Sequence, residues 1–222
     1  MLGRMTKTSS YKFSHDEKEA VYHVIHERRD MRHFSDGTVS PAVLSKILEA
    51  GHAAPSVGLM QPWRFVRITS VKLREQLIAL VEEEKNKTAD EMSQRKKEFM
   101  QLKVEGMRNC AELIVVVLAP DDGTVFGRRT MAEEMALCST SCAIQNMWLA
   151  ARVENLGMGW VSFFKPEDVA KLLACPAGAK PLALLCLGPV GEFYEQPMLE
   201  QEDWRYRTRL EKVFAENIYP SK

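Results

Sequence analysis

The segment Arg28-Arg29-Asp30-Met31-Arg32 places three arginines within five positions and sets a carboxylate among them. Guanidinium groups are planar, permanently charged forks that match phosphate oxygens in a bidentate way, so this cluster can hold a phosphate. The same residues also suit the basic end of a helix, where the dipole favours cations. Asp30 is an ordinary ion-pair partner in one reading. Beside a ligand, three flanking guanidiniums should lower its pKa and keep it ionised as a base. About thirty residues later comes Pro55-Ser56-Val57-Gly58-Leu59-Met60-Gln61-Pro62-Trp63, a turn whose small residues and free N–H groups can approach a flat ligand. Ser162, in Gly157-Met158-Gly159-Trp160-Val161-Ser162-Phe163-Phe164, can present a hydroxyl from a strand end or bond its own backbone. The alternate arginines of Trp204-Arg205-Tyr206-Arg207-Thr208-Arg209 are surface charge or further phosphate contacts.

These groups need a scaffold, and periodicity predicts one. Residues 16–29 place Ala20, Val21, Val24 and Ile25 on one helical face, acidic at the start and basic at the end. Ser40-Pro41 predicts an N-cap with proline at the first helical position, opening a helix to about residue 54. Residues 64–69 read as a short strand. Residues 112–119 (ELIVVVLA) are nearly uninterrupted and β-branched, as in a strand buried on both faces. The middle of 129–156 is apolar or small all round, which predicts a central helix, possible partner to a twin in a dimer. Residues 158–163 and 181–187 are further strands, with a helix over 166–173 between them. Residues 71–108 form a highly charged helical stretch with sparse apolar positions, either a solvated hairpin or a cover over a pocket. An amphipathic helix is expected over 203–217. No G-x-G-x-x-G, Walker loop or G-x-S-x-G occurs.

At 222 residues the chain can bury one sizeable core, and one domain over 1–222 is expected. Thirty basic residues balance thirty acidic ones, so no general field exists to hold nucleic acid or an anionic membrane, and any anion site must be local. The aliphatic run at 113–119 is too short to span a bilayer. The start, MLGRMTKTSSYKFSHDE, has no apolar signal-peptide core, so a cytoplasmic location is expected. Five cysteines suit reduced thiols; Cys138 and Cys142 read as core packing, with no partner set for a metal. His23, His26 and His33 lie near the arginines without compact metal-ligand spacing.

Taken in order, RRDMRHF, APSVGLMQPWRF, NLGMGWVSFF and the basic tail resemble the nitroreductase superfamily over nearly the whole chain. Within it they are most similar to the 5,6-dimethylbenzimidazole synthases, which make the lower ligand of vitamin B12. General members usually carry Ser where Asp30 stands and often Asn where Leu59 stands; both residues agree with the synthase branch. The resemblance implies an α+β fold: a central mixed sheet flanked by helices, in an intertwined homodimer with FMN between subunits. Residues 71–108 fall where a helical lid covers the flavin, and 190–222 form a tail that wraps the partner. Arg28, Arg29 and Arg32 would hold the phosphate and polar edge, Ser56 would lie beside the flavin, and Arg207 and Arg209 would reach the phosphate. The implied reaction consumes reduced FMN with O2, cuts the isoalloxazine apart, and releases erythrose 4-phosphate. Asp30 is then the candidate base and Ser162 the candidate hydroxyl for steering oxygen or relaying protons. A separate flavin reductase could supply reduced FMN, and no metal is implied. A flavin-recycling NAD(P)H nitro or quinone oxidoreductase and a non-catalytic FMN-binding protein share the fold, so fold alone does not separate them.

Overall fold

The computed structural model describes residues 12–103 and 106–220. Positions 104 and 105 of the predicted charged stretch, and 221–222 of the predicted tail, lie outside the described residues. The aliphatic run becomes β2 (Glu112–Leu118), a central strand in which every residue but the last is buried. It is flanked by β1 (Trp63–Arg67) and β4 (Lys180–Gly188), and β3 (Gly157–Val161) pairs with β4, giving the order β1-β2-β4-β3. All three ladders are antiparallel. The mixed sheet expected from the resemblance is thus corrected: among the described residues its parallel element is one bridge, Asp30 to Met158.

Side chains alternate across the sheet, and helices cover both faces. Leu113, Val115, Val117, Leu184 and Cys186 pack against α3 (Val71–Glu91) and α6 (Pro166–Leu172). Ile114, Val116, Ala183, Leu185 and Leu187 pack against α2 (Pro41–His52) and α5 (Ala132–Val153). This double cover explains why β2 reads as continuously apolar. Helix α2 starts where its sequence dictates: the Ser40 hydroxyl accepts from Val43 N at 3.2 Å, with Pro41 at the first position. Helix α1 (His15–Glu27) is opened by a reciprocal box in which Ser14 Oγ accepts from Glu17 N and Glu17 Oε2 accepts from Ser14 N.

Some expectations gain detail and others are corrected. The apolar face of α1 lies largely open, with Val21 and Ile25 exposed and no residue of the helix buried. Helix α5 turns Ala136, Ala143, Ile144 and Met147 inward, leaving Cys138 and Cys142 on its exposed side and outside the core. The charged stretch breaks after α3; a turn at Arg95 leads into α4 (Lys96–Gln101), and Lys85 Nζ ties the two helices by donating to Met100 O and Leu102 O. The expected helix over 203–217 is absent. That region contains only a 3-10 turn, Leu210–Lys212, preceded by the short α7 (Met198–Gln201). An amphipathic helix draws its stability from a surface that receives its apolar face. Here Leu210, Val213, Phe214, Ile218 and Tyr219 are all exposed.

The edge strand β3 permits a close approach. A Cβ at Gly159 would stand 2.2 Å from Met31 O and 2.6 Å from Arg32 Nη1. Gly159→Ala should therefore cost about 1–3 kcal/mol through overpacking, read as a lower urea midpoint. Gly191→Ala, where nothing lies within 4 Å, serves as the unchanged control.

Candidate functional site

The chain leaves α1 at Arg28 and runs along the outer side of β3. Met31 N donates to Met158 O at 3.0 Å, and Met31 is fully buried. Asp30 locks this docking. Its Oδ1 accepts from Trp160 N at 3.1 Å, and its Oδ2 accepts from Arg32 Nη2 at 2.7 Å. The same Nη2 donates to Trp160 O at 2.7 Å, so carboxylate and guanidinium together grip both backbone groups of Trp160. Arg32 is buried against Gly159, and its Nη1 has no partner among the described residues.

The expected low pKa of Asp30 is corrected. Burial pushes it up, outweighing Arg32, the Trp160 N–H and Arg28, which pull it down. The side chain keeps 44% of its surface, so burial here means low-dielectric surroundings at a rim and not enclosure. Arg29, expected to add positive charge, is spent on carbonyls: it donates to His26 O at 2.6 Å and to Glu195 O at 2.8 Å. Ser162 is exposed one strand repeat beyond Trp160, roughly 7 Å along the chain, and its carbonyl accepts from Phe164 N.

Arg28 carries the unbalanced charge. Its guanidinium lies 4.7 Å from the centre of the Trp148 ring, a cation–π contact. Burial lowers its pKa; Asp30 opposes that, while Arg207 and Arg29 add repulsion. Arg207 arrives from the tail, half-steadied by Glu200, whose Oε1 lies 3.5 Å from its Nε and accepts its backbone N–H. Arg209 is exposed just before the 3-10 turn. Arg28 and Arg207 are thus close enough to repel each other, with Asp30 beside one and Glu200 beside the other, and an anion between them would relieve that repulsion.

The Pro55–Trp63 turn is elsewhere. It feeds β1, at the opposite edge of the sheet from β3, with β2 and β4 between them; the edge strands are thus about 14 Å apart. Ser56 Oγ accepts from Gln61 N at 3.1 Å, and Val57 N donates to Ser139 Oγ on α5 at 3.2 Å. Gly58, Leu59 and Gln61 all have positive φ, and Leu59 is 78% exposed. The chain therefore brings together Arg28, Asp30, Arg32, Ser162 and Arg207, but not Ser56 or Leu59.

Other residues complete the first group. Trp148 Nε1 donates to Arg29 O and Met158 O at 3.1 and 2.9 Å, pinning the arginine segment to α5 and β3. Tyr194 Oη accepts from Arg32 N at 3.2 Å and lies 2.6 Å from His33 Nδ1. Arg152 donates to Glu27 O and stacks on Phe193 at 3.9 Å. The sequence offered only one hint of these: aromatic residues at the helix and strand positions flanking the 154–157 turn.

The Nitroreductase family pattern matches residues 25–189. A 5,6-dimethylbenzimidazole synthase of Rhodospirillum rubrum is 36% identical over 183 residues, covering 81% of this chain and 86% of that protein. One from Rhodobacter capsulatus is 33% identical over 197 residues, covering 87% and 94%. Among solved structures, iodotyrosine deiodinase bound to FMN and 3-iodo-L-tyrosine shares the fold with a TM-score of 0.70 at 19% identity, covering 90% of this chain and 100% of that one. The NADPH:FMN oxidoreductase of Vibrio harveyi complexed with NAD+ gives 0.68 at 19% identity, covering 91% and 79%. The architecture and the length of the match agree, and the chain belongs to the Nitroreductase family.

Proposed function

We propose that this protein catalyses the O2-dependent fragmentation of reduced FMN to 5,6-dimethylbenzimidazole, with release of erythrose 4-phosphate. The observation that carries the reading is Asp30, a carboxylate fixed by Trp160 N and the Arg32 fork at a rim beside Arg28. The similarity to two 5,6-dimethylbenzimidazole synthases supports it. The residues present fit FMN: Arg28 and Arg207 repel each other at the site, and the buried Arg32 Nη1 has no partner among the described residues. Reduced FMN, when bound, supplies both the electrons for O2 and the carbon of the product. Arg28 and Arg207 bind its phosphate, with Arg209 as a further contact; Arg29 and Arg32 shape its polar edge through the segment they fasten. Asp30 takes a proton at its carboxylate from the ribityl C1′ or a neighbouring hydroxyl. Ser162 offers its hydroxyl to relay protons or steer oxygen.

Ser56 and Leu59 reach this site from a second copy of the chain. The exposed side of α5, with Cys138, Ser141 and Cys142, and the exposed apolar side chains of the tail are surfaces for such a homodimer. Leu59 then dries the flavin site where an amide would hydrogen-bond. The α3–α4 hairpin acts as its lid, excluding water from the oxygen chemistry.

The first test mixes the protein with one equivalent of reduced FMN under argon and then admits air. 5,6-Dimethylbenzimidazole with loss of the flavin chromophore is expected. Recovery of intact FMN with hydrogen peroxide would return the protein to flavin recycling or flavin carriage, which rapid reduction of bound FMN by NAD(P)H would tell apart.

Asp30→Asn should abolish product while FMN affinity stays near wild type, since a positioned base contributes roughly 10²–10⁴ in rate. Equal loss of binding would remove the catalytic assignment. Burial raises the Asp30 pKa above its ordinary 3.8, so wild-type activity should rise with pH through that raised value as the base form appears. The folded chain holds this proton to a higher pH than the unfolded chain, so stability present at low pH falls as pH rises through the same window. Asp30→Asn should flatten that slope in urea titrations at several pH values.

Arg28→Ala should weaken FMN binding about tenfold to a hundredfold, as loss of a charged hydrogen bond worth about 1.5–3 kcal/mol, with a shallower salt dependence by fluorescence titration. The dimer has its own test. Equal amounts of Asp30→Asn and Leu59→Asp chains, unfolded and refolded together, should recover about a quarter of wild-type activity, since half the dimers are mixed and each holds one intact site. Complete inactivity of the mixture would place both residues in a single chain's site.

A further inference from the structure

The turn between α3 and α4 is fastened to the tail by one side chain. Arg95 Nη1 donates to Trp204 O at 3.1 Å and Nη2 to Asp203 O at 3.2 Å, while the guanidinium lies 4.3 Å from the centre of the Trp204 ring. Glu98 pairs with its Nε and orients the fork. Arg95 has φ 59 and Asp203 has φ 49, so both ends of the contact hold a left-handed conformation that non-glycine residues rarely adopt. Such backbone persists where surrounding contacts over-determine it, and here the two strained residues face each other through the same bonds.

Behind the clamp lies an aromatic chain. The Trp204 ring meets Phe99 of α4 with centroids 6.1 Å apart, and Phe99 meets Phe163 at 5.9 Å. Phe163 follows Ser162 directly, and Trp204 stands three positions before Arg207. The cluster of Ala89, Phe99 and Leu102 with Met92, Phe163 and Trp204 is small and joins the main core through Phe163, and Lys85 adds bonds to Met100 O and Leu102 O within the hairpin. Within the hairpin itself, Lys96 pairs with Asp90 at the surface.

We infer that Arg95 is a positioning residue that closes the α3–α4 hairpin onto the tail, through Asp203 and Trp204, and so sets Arg207 and the Ser162 strand end together. With the clamp open, water enters and reduced flavin is lost to the simple two-electron leak, FMNH2 + O2 → FMN + H2O2. This peroxide consequence rests on the proposed function; the mechanical role does not.

The test uses Arg95→Asn, because Asn tolerates the left-handed backbone but cannot reach both carbonyls, and Trp204→Phe, which keeps a ring and the carbonyl. Hydrogen exchange in Arg95→Asn should quicken on the order of tenfold over 96–101 and 203–207 while β2 keeps its protection, since local opening reports on local contacts. FMN should dissociate several-fold faster, and peroxide per flavin oxidised should rise several-fold. Trp204→Phe should stay near wild type on all three. Unchanged exchange over 96–101, or faster exchange throughout including β2, would overturn the inference. Locally faster exchange with unchanged FMN release and peroxide yield would overturn the positioning role. If the wild type yields only peroxide and intact FMN, the fragmentation reading fails, and exchange and FMN release alone decide the role of Arg95.

Discussion

An edge strand must do something with its unpaired backbone, and in this protein β3 uses it to hold the site. The outer side of β3 accepts from Met31 N and, at Trp160, is gripped by the Asp30 carboxylate and the Arg32 guanidinium. Gly159 supplies the room, since any Cβ there would meet Met31 O. An edge covered in this way cannot template aggregation. The cover also brings the chain's acid–base group to the sheet margin. Trp148 then secures the segment from the α5 side, and Tyr194 from the stretch after β4.

Local rules are broken where the proposed chemistry lies. Arg28 and Arg207 repel each other, Arg29 Nε and Arg32 Nη1 are buried without partners among the described residues, and positive φ values occur at Leu59 and Gln61. Much of the rest is locally consistent, with serine caps at α1, α2 and α3 and side chains along β2 and β4 directed alternately into the two cores. Buried polar atoms left without partners inside a largely consistent framework are the pattern expected of function.

Sequence reading succeeded where the governing contacts are short in range. Ser40-Pro41 starts α2 because a cap concerns only neighbours in the chain, and the β2 run is recognisable because its composition matches two covered faces. It failed where distant partners decide. Asp30 seemed surrounded by guanidiniums in the chain, but Arg29 turns away to Glu195 O, 166 residues on, and desolvation outweighs the charges that remain. The helical pattern over 203–217 found no receiving surface within one chain. Cys138 and Cys142 looked like core residues because small side chains do not show which side of α5 faces the sheet. Trp148 carried only the faint hint of an aromatic flanking a turn and Tyr194 none, since their bonds to the arginine segment span more than a hundred positions.

The Asp30 carboxylate joins two tasks that proteins usually keep apart. The oxygens that would receive a proton are the same ones that fasten the backbone N–H of Trp160 and the Arg32 fork. A neutral carboxyl is a weaker acceptor than an ionised one. Each proton lost therefore strengthens these two bonds while exposing the seam to the larger cost of a desolvated charge, and each proton gained does the reverse. The peptide amide of Trp160 is thereby coupled to the protonation of a side chain 130 residues away in the sequence. Its proton signal in solution would rise and fall in step with that single titration, an internal indicator already wired into the backbone.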